Sequence, residues 1–343
     1  MTSHPPIPVA SAIVFGIACS SPQEAHWTVG SATSIEADHV FSADVDGDGT
    51  DELGTLVGES ATIGSVRHTL TGAWQRAIAV PASGHEVVWL VTGQGRHFNE
   101  APIVVTEMAN DGTRTVWERD GLRDQITDLR VVNEKVWASL YTDRRKVSGG
   151  WLSNDGFEPL TEEHMAQRQI PLADGRVVVG RVYGEASKSP GDLRVWSPGS
   201  ADAQPLMSLR GVRALALADL DGDGHEDLIS GDGWHFAYGR EGDARIVVHR
   251  GPDFTDARVI GWVPDSYAAL EIIVVGTGLE AGLVVQGSHR VVLFDRDDLG
   301  WVPLDLGPSS EVGSIAVLKT PDGPLVAVSG SDARTVPLRL ERK

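Results

Sequence analysis

The sequence has little positive charge. Its 343 residues include 29 lysines and arginines against 48 aspartates and glutamates, so the formal net charge is −19 at pH 7 with histidine neutral. A surface with this excess of negative charge repels the phosphates of nucleic acids and the headgroups of anionic lipids. The sequence therefore predicts neither a nucleic-acid-binding protein nor one that coats an anionic membrane surface.

Cysteine is nearly absent as well. Cys19 is the single cysteine, so it forms no internal disulfide, and no Cys/His cluster has the spacing of a structural zinc site. The sequence also lacks G-x-S-x-G, H-E-x-x-H and Walker motifs. No segment has the roughly 20 consecutive apolar residues that a membrane-spanning helix needs. These absences leave the single thiol, the repeats and the acidic residues as the informative features.

Cys19 follows the most apolar stretch near the N-terminus, residues 7–18, and precedes a short polar segment, residues 20–24. This arrangement resembles a bacterial lipoprotein signal peptide, in which cleavage before the cysteine leaves its thiol for diacylglyceryl attachment. The resemblance implies a signal peptide over residues 1–18, a lipid-modified Cys19, and a tether over residues 19–25. It also implies an extracytoplasmic protein held only by lipid on a bacterial membrane, the outer membrane in a Gram-negative cell. The other interpretation is an uncleaved N-terminus with a chance cysteine.

Short runs of Val, Ile, Leu and Trp recur along the chain, separated by Gly, Asp, Asn and Pro, and this pattern predicts a nearly all-β protein. Apolar runs that begin equivalent units are spaced 40 to 56 residues apart; they start at Val40, Glu86, Ile126, Ile170, Val212, Ala268 and Val312. A four-stranded propeller blade occupies a repeat of this length. We therefore predict one domain over residues 26–343, a seven-bladed β-propeller of four-stranded antiparallel blades.

Two details of this prediction depend on particular segments. The third and fourth units are the weakest, because residues 158–168 could form a short helix or a loop, so six or eight blades stay open. The run Trp27–Ile35 precedes the first unit and could supply the outer strand of the last blade. Such a strand would close the ring and hide the sheet edges that an open array exposes.

Two acidic segments align without gaps and begin 175 residues apart, about four repeats, at Asp44 and Asp219. Carboxylates at relative positions 1, 3, 5 and 9 and a backbone carbonyl at position 7 surround one hard cation with oxygen, while glycines at positions 4 and 6 allow tight turns. Ca²⁺ suits this loop better than Mg²⁺, which demands strict octahedral geometry, or zinc, which prefers nitrogen and sulfur donors. An EF-hand would need Glu at position 12, where the chain has Thr55 and Ser230. The alternative is a metal-free Asp/Gly-rich hairpin turn.

The two D-x-D-G-D-G-x-x-[DE]-L segments resemble the calcium-binding repeats of the FG-GAP or VCBS family, which also occur in integrin α-chains. The resemblance is specific to these segments and only architectural elsewhere. It implies two bound Ca²⁺ ions, each in a loop that joins the first and second strands of a blade. The ligands it implies are Asp44, Asp46, Asp48, the Thr50 carbonyl and Glu52 in one loop, and Asp219, Asp221, Asp223, the His225 carbonyl and Asp227 in the other.

A further candidate site is Trp234, His235 and Tyr238, which lie among glycines after the second loop. Such aromatic residues suit carbohydrate or peptide binding, and the alternative is that they pack between blades. The pattern as a whole predicts a monomeric, non-catalytic, calcium-binding propeller on the cell envelope that acts as a binding or adhesion module for an unknown protein or carbohydrate. The alternatives are a polysaccharide lyase or hydrolase with its site in the central funnel, using His235 or His97, and a scaffold subunit of an envelope complex.

Overall fold

The computed structural model describes residues 25–70, 72–93, 102–120, 125–141, 146–182, 191–233, 242–297, 300–310 and 312–342. These residues form 29 β-strands in seven antiparallel sheets. None of the helices in these ranges is long and apolar enough to span a bilayer. The predicted signal peptide, Cys19 and the tether up to residue 24 lie outside the described residues.

The first six blades each contain four strands that follow one another in the chain. Blade 1 contains β3 (His39–Ala43), β4 (Glu52–Val57), β5 (Ser60–Ile63) and β6 (Val66–Thr69). Blade 2 contains β7 (Ala73–Ala82), β8 (His85–Gly93), β9 (Ile103–Ala109) and β10 (Gly112–Arg119). Blade 3 contains β11 (Gln125–Val132), β12 (Lys135–Tyr141), β13 (Lys146–Ser153) and β14 (Gly156–His164). Blade 4 contains β15 (Arg168–Pro171), β16 (Val177–Gly180), β17 (Asp192–Trp196) and β18 (Gln204–Ser208). Blade 5 contains β19 (Val212–Ala218), β20 (Asp227–Asp232), β21 (Ala244–His249) and β22 (Ala257–Val263). Blade 6 contains β23 (Ala269–Val275), β24 (Gly282–Gly287), β25 (Arg290–Asp297) and β26 (Gly300–Pro308).

The seventh blade joins the two ends of the domain. Its inner strand is β27 (Ile315–Thr320), followed by β28 (Gly323–Val328) and β29 (Arg334–Arg342), and its outer strand is β1 (Ala25–Val29). The short β2 (Thr33–Ser34) also pairs with β29. The pairing sets Trp27 opposite Leu340. This confirms the predicted closure by the run that begins at Trp27, and it leaves a seven-bladed ring.

The hydrophobic core is divided among the blade interfaces. Each of seven clusters of buried residues in the described chain lies between two neighbouring sheets, so that every interface around the ring has one. The first strands of successive blades also contact one another around the whole ring. Because neighbouring blades pack against both faces of a sheet, apolar residues along a strand either alternate with polar ones or occupy both faces, and they do not follow a helical period.

The structure corrects two details of the sequence prediction. The second blade begins at Ala73 with β7, not at Glu86, which lies in the second strand of that blade. The Ala-rich β7 is less hydrophobic than the almost fully buried β8, so the apolar run identified the wrong strand of the blade. Residues 156–164 form the outer strand β14 rather than a helix or loop. An outer strand has one solvent-facing edge, which accounts for its charged and exposed side chains.

Candidate metal centres

The two acidic loops occupy the same place in blades 1 and 5. The first connects β3 to β4 and the second connects β19 to β20, each between the inner strand of a blade and its neighbour. Their paired glycines adopt the same left-handed conformation; the φ angles are 77° for Gly47, 86° for Gly49, 78° for Gly222 and 87° for Gly224. Glycine adopts this conformation without the strain that a Cβ introduces. The two segments therefore share their backbone geometry as well as their sequence.

The first aspartate of each loop holds the turn closed. Asp44 accepts hydrogen bonds from the amides of Gly47 at 2.8 Å and Gly49 at 2.9 Å, one on each carboxylate oxygen. Asp219 accepts the equivalent pair at 2.7 Å and 3.0 Å. In both loops the aspartates at positions 3 and 5 also accept the amide two residues further along. Each carboxylate oxygen has two acceptor sites, so these bonds leave lone pairs for a cation.

The three aspartates of each loop converge. One carboxylate oxygen from each lies within 4.8 Å of those from the other two; the groups are Asp44, Asp46 and Asp48 in the first loop, and Asp219, Asp221 and Asp223 in the second. Oxygens bound to one Ca²⁺ at 2.3–2.6 Å are separated by at most about 5 Å. The spacing and the all-oxygen donor set therefore fit a calcium ion at each loop.

The acid at position 9 lies in a different environment from the other three. Glu52 accepts the Val45 amide at 2.9 Å, and Asp227, which is 3 % exposed, accepts the amides of Leu220 at 3.2 Å and Gly251 at 3.0 Å. Burial raises the pKa of both carboxyl groups; the position-3 aspartate raises it further in each loop, while the backbone hydrogen bonds lower it. A cation in the loop would offset the burial and the repulsion that disfavour the charged form.

The first loop is attached to both neighbouring blades. In blade 2, Glu86 accepts the Asp44 amide at 3.0 Å and donates its own amide to the Asp44 carbonyl at 2.7 Å. In blade 7, Lys319 donates its amide to the Asp51 carboxylate at 2.8 Å, and its carbonyl accepts the Asp51 amide at 2.9 Å. This loop therefore fixes three consecutive blades relative to one another.

The second loop is attached to blade 6 and carries an additional cationic contact. Gly278 donates its amide to the Asp219 carbonyl at 3.2 Å, and Arg296 donates to the Leu220 carbonyl at 3.0 Å. Arg250, from the turn that connects β21 and β22, places Nη1 2.6 Å from Oδ2 of Asp221. The second loop thus has a guanidinium on one of its predicted calcium ligands, a contact that the sequence interpretation missed because it joins residues 29 positions apart.

The sequence interpretation also missed a cluster of charged side chains in the central channel. Arg76, Asp128, Arg130, Arg168 and Glu271 come from the inner strands of blades 2, 3, 4 and 6. Burial, followed by the neighbouring Arg76, lowers the pKa of Arg168 to about 10. The pKa of Asp128 lies below its usual value, because nearby guanidiniums outweigh its burial. Both groups are therefore charged at neutral pH.

Five residues of the predicted sites lie outside the described part of the chain: Trp234, His235, Tyr238, His97 and Cys19. Two tryptophans outside the predicted sites differ in burial: Trp137 is fully buried between blades 3 and 4, whereas Trp262 on β22 is 54 % exposed.

Comparisons with known proteins identify the fold. No protein-family model matches the chain, and no curated protein matches it. A chain in the crystal structure of the mitotic checkpoint complex has a TM-score of 0.52 and 9 % identity, and the match covers 100 % of this chain and 98 % of that one. The extracellular domain of a putative one-component system from B. thetaiotaomicron has a TM-score of 0.54 and 12 % identity, and the match covers 89 % of this chain and 39 % of that one. The protein is a seven-bladed β-propeller.

Proposed function

We propose that the protein is a non-catalytic, calcium-stabilised β-propeller that acts as a binding or adhesion module on the cell envelope, its partner a protein or a carbohydrate. The observation that carries the calcium proposal is the repetition of one loop geometry, with the same three converging carboxylates, at equivalent positions of blades 1 and 5. Two copies in one ring favour a cation site over a chance cluster of acids. The features of each loop agree with an FG-GAP or VCBS calcium site.

The role of calcium in this proposal is structural. Each loop hydrogen-bonds to an adjacent blade, so a cation that rigidifies the loop also stabilises an inter-blade contact. Asp44, Asp46, Asp48 and Glu52 would hold one ion with the Thr50 carbonyl, and Asp219, Asp221, Asp223 and Asp227 would hold the other with the His225 carbonyl. The ion would offset the electrostatic repulsion among the four carboxylates of each loop.

A binding module agrees better with the channel than a hydrolase or lyase does. Acid–base catalysis needs a group whose pKa lies near the working pH. The described channel groups with shifted pKa are instead Arg76, Asp128 and Arg168, which hold fixed charges at neutral pH, and His39, whose burial lowers its pKa to about 4. Fixed charges of this kind orient a ligand rather than transfer protons.

The calcium proposal is tested by thermal unfolding in EDTA and in millimolar Ca²⁺. Binding to the folded state alone stabilises by about 2.7 kcal/mol per site at a hundredfold excess over Kd, so Ca²⁺ should raise the midpoint. Asp46→Ala and Asp221→Ala should each remove part of that increase. Loops that are metal-free turns would give the same midpoint in both buffers.

A matched control is Asp174→Ala. Asp174 lies between the first two strands of blade 4 and accepts the Arg176 amide at 3.0 Å, as the loop aspartates accept theirs two residues on. It belongs to neither group of converging acids. The Asp174→Ala variant should lose as much stability in EDTA as in Ca²⁺. If Asp46→Ala also lost the same stability in the two buffers, the metal site would be refuted.

The envelope location rests on the sequence around Cys19. The described domain begins at Ala25, and the six residues from Cys19 to Glu24 span at most about 20 Å when fully extended. A lipid on Cys19 would therefore hold the outer strand of blade 7 close to the membrane. There the propeller could bind partners outside the cell, as its similarity in fold to an extracellular domain suggests. Replacing Cys19 by Ser should move the protein from the membrane fraction to the soluble fraction, and an unchanged membrane fraction would refute the lipid anchor.

A further inference from the structure

The centre of the ring contains a cavity of about 700 Å³. Its walls are the inner strands, and its lining combines apolar side chains such as Ile78, Val131 and Ile273 with the charged Arg76, Arg168 and Glu271. Small-molecule sites generally have volumes of about 300–1,000 Å³ and combine an apolar lining with a few fixed polar groups. The cavity is therefore large enough for a small ligand.

The charged cluster beside this cavity has more cations than anions. Arg130 pairs with Asp128 at 2.7 Å, and Arg76 pairs with Glu271 at 3.2 Å. Arg168 shares the same two carboxylates at longer range, 3.9 Å from Asp128 and 4.0 Å from Glu271. These five side chains therefore carry three positive and two negative charges, a local positive excess in a chain whose net charge is −19.

Backbone carbonyls hold the arginines in place. Arg168 donates Nε to the Arg213 carbonyl at 2.7 Å and Nη2 to the Leu270 carbonyl at 3.2 Å, on blades 5 and 6. Arg76 donates Nε to the Thr127 carbonyl at 3.2 Å, on blade 3. Neutral carbonyls orient a guanidinium without cancelling its charge, so the cluster presents preorganised cationic donors.

One part of the cluster faces the cavity with unused donors. The Nη2 group of Arg76 makes no hydrogen bond among the described residues, and the side chain is 22 % exposed. Arg168, at 12 % exposed, donates Nη1 to the same Thr127 carbonyl that accepts from Arg76, so the two positive charges lie side by side and repel. An oxyanion between the two guanidiniums would relieve this repulsion and accept charge-assisted hydrogen bonds.

We propose that the central channel binds a small molecule through a carboxylate or phosphate group held by Arg76 and Arg168. Glu271 competes with that group for both arginines, and the apolar walls contact the rest of the ligand. The proposal does not depend on calcium, because its residues lie on inner strands and outside both acidic loops.

The test is titration calorimetry on the full-length protein at constant ionic strength in sodium chloride, without added calcium so that phosphate stays in solution. The probes are inorganic phosphate, acetate and glucuronate, with glucose as the neutral control. We expect an oxyanion to bind, glucose to bind more weakly than glucuronate, and Arg76→Gln to weaken the oxyanion about tenfold. Tighter phosphate binding assigns a phosphate ligand, and tighter acetate or glucuronate binding assigns a carboxylate.

Two further variants keep the test decisive if Arg76→Gln fails to fold. Glu271→Gln removes the competing carboxylate, so the same anion should bind about tenfold more tightly. Arg67→Gln removes a positive charge from an arginine that donates to Ser60 on the outer part of blade 1, and should leave the affinity unchanged. A purely structural arginine cluster predicts no oxyanion binding above chloride, or equal affinity in the wild type and the Glu271→Gln variant. Either result overturns the proposal.

Discussion

At the scale of single residues, Arg250 distinguishes two loops that are otherwise alike. Its guanidinium lies 2.6 Å from Asp221, at 45 % side-chain exposure. A calcium ion at the second loop has to compete with this partner for the same carboxylate. An exposed ion pair is worth at most about 1 kcal/mol, so Arg250→Ala should strengthen calcium binding at the second loop by up to about fivefold.

This prediction is measured by calcium titration in an Asp46→Ala background, in which the second loop is the remaining site. Arg258→Ala is the control, because Arg258 belongs to the adjacent strand and pairs with Asp256 instead of Asp221. A calcium affinity that falls in Arg250→Ala would mean that the arginine supports the site rather than competing with the ion.

The glycines of the loops give a second prediction. Gly47 and Gly222 have φ angles of 77° and 78°, but a Cβ on Gly47 would lie 2.3 Å from the Gly84 carbonyl oxygen of blade 2, whereas a Cβ on Gly222 would meet nothing within 4 Å. Alanine at either position strains the backbone by about 1–2 kcal/mol. Gly47→Ala should cost about 1–3 kcal/mol more, because the contact with blade 2 has to shift. Urea unfolding in EDTA measures the difference, and equal losses would contradict the inter-blade contact.

The sequence predicts the loop residues well and the channel residues not at all. Asp44 and Asp219 belong to local motifs whose spacing is visible within nine residues. Arg76 and Glu271, in contrast, meet across 195 positions. The available signal is a single charged residue within a mostly apolar strand, Arg76 in β7 and Glu271 in β23, and it becomes informative only when the strands are aligned around the ring.

At the scale of elements, β1 closes the ring by pairing with β29. Trp27 is 5 % exposed, packs against the core between blades 6 and 7, and donates its indole N–H to the Glu280 carbonyl at 3.1 Å. Trp27→Ala should therefore cost about 3–5 kcal/mol, as large-to-small changes in a core do. The measurement is urea unfolding, with Trp262→Ala as the exposed control, which should change stability by less than about 0.5 kcal/mol. Similar losses in the two variants would contradict closure by β1.

Strand identity follows from sequence where burial is high. The apolar run predicted to begin a unit at Val212 is the inner strand β19 of blade 5, which is largely buried. The inner strand β7 was missed because its alanines, Gln75 and Arg76 make it less apolar than β8, and the outer strand β14 was left open because it contains several charged residues. In β7 the charge belongs to the channel cluster, and in β14 it faces solvent, so position in the ring overrides local hydrophobicity.

At the scale of the whole molecule, the blade interfaces differ in strength. Six buried residues form the cluster between blades 7 and 1, and four of them are alanines, whereas fifteen buried residues lie between blades 5 and 6. The first acidic loop bridges the smaller interface through Asp51 and Lys319. Chelation of calcium should therefore speed amide hydrogen exchange more in β3 and β27 than in β19 and β23. Uniform exchange around the ring would show that the first loop does not support this interface.

The central claim is that each of two equivalent loops binds one calcium ion, and the most direct test is to count the ions. Native mass spectrometry after dialysis against micromolar Ca²⁺ should find two ions per wild-type chain. It should find one ion in Asp46→Ala, one in Asp221→Ala and two in Asp174→Ala. A wild-type chain that binds no calcium, or single variants that still bind two ions, would contradict the account.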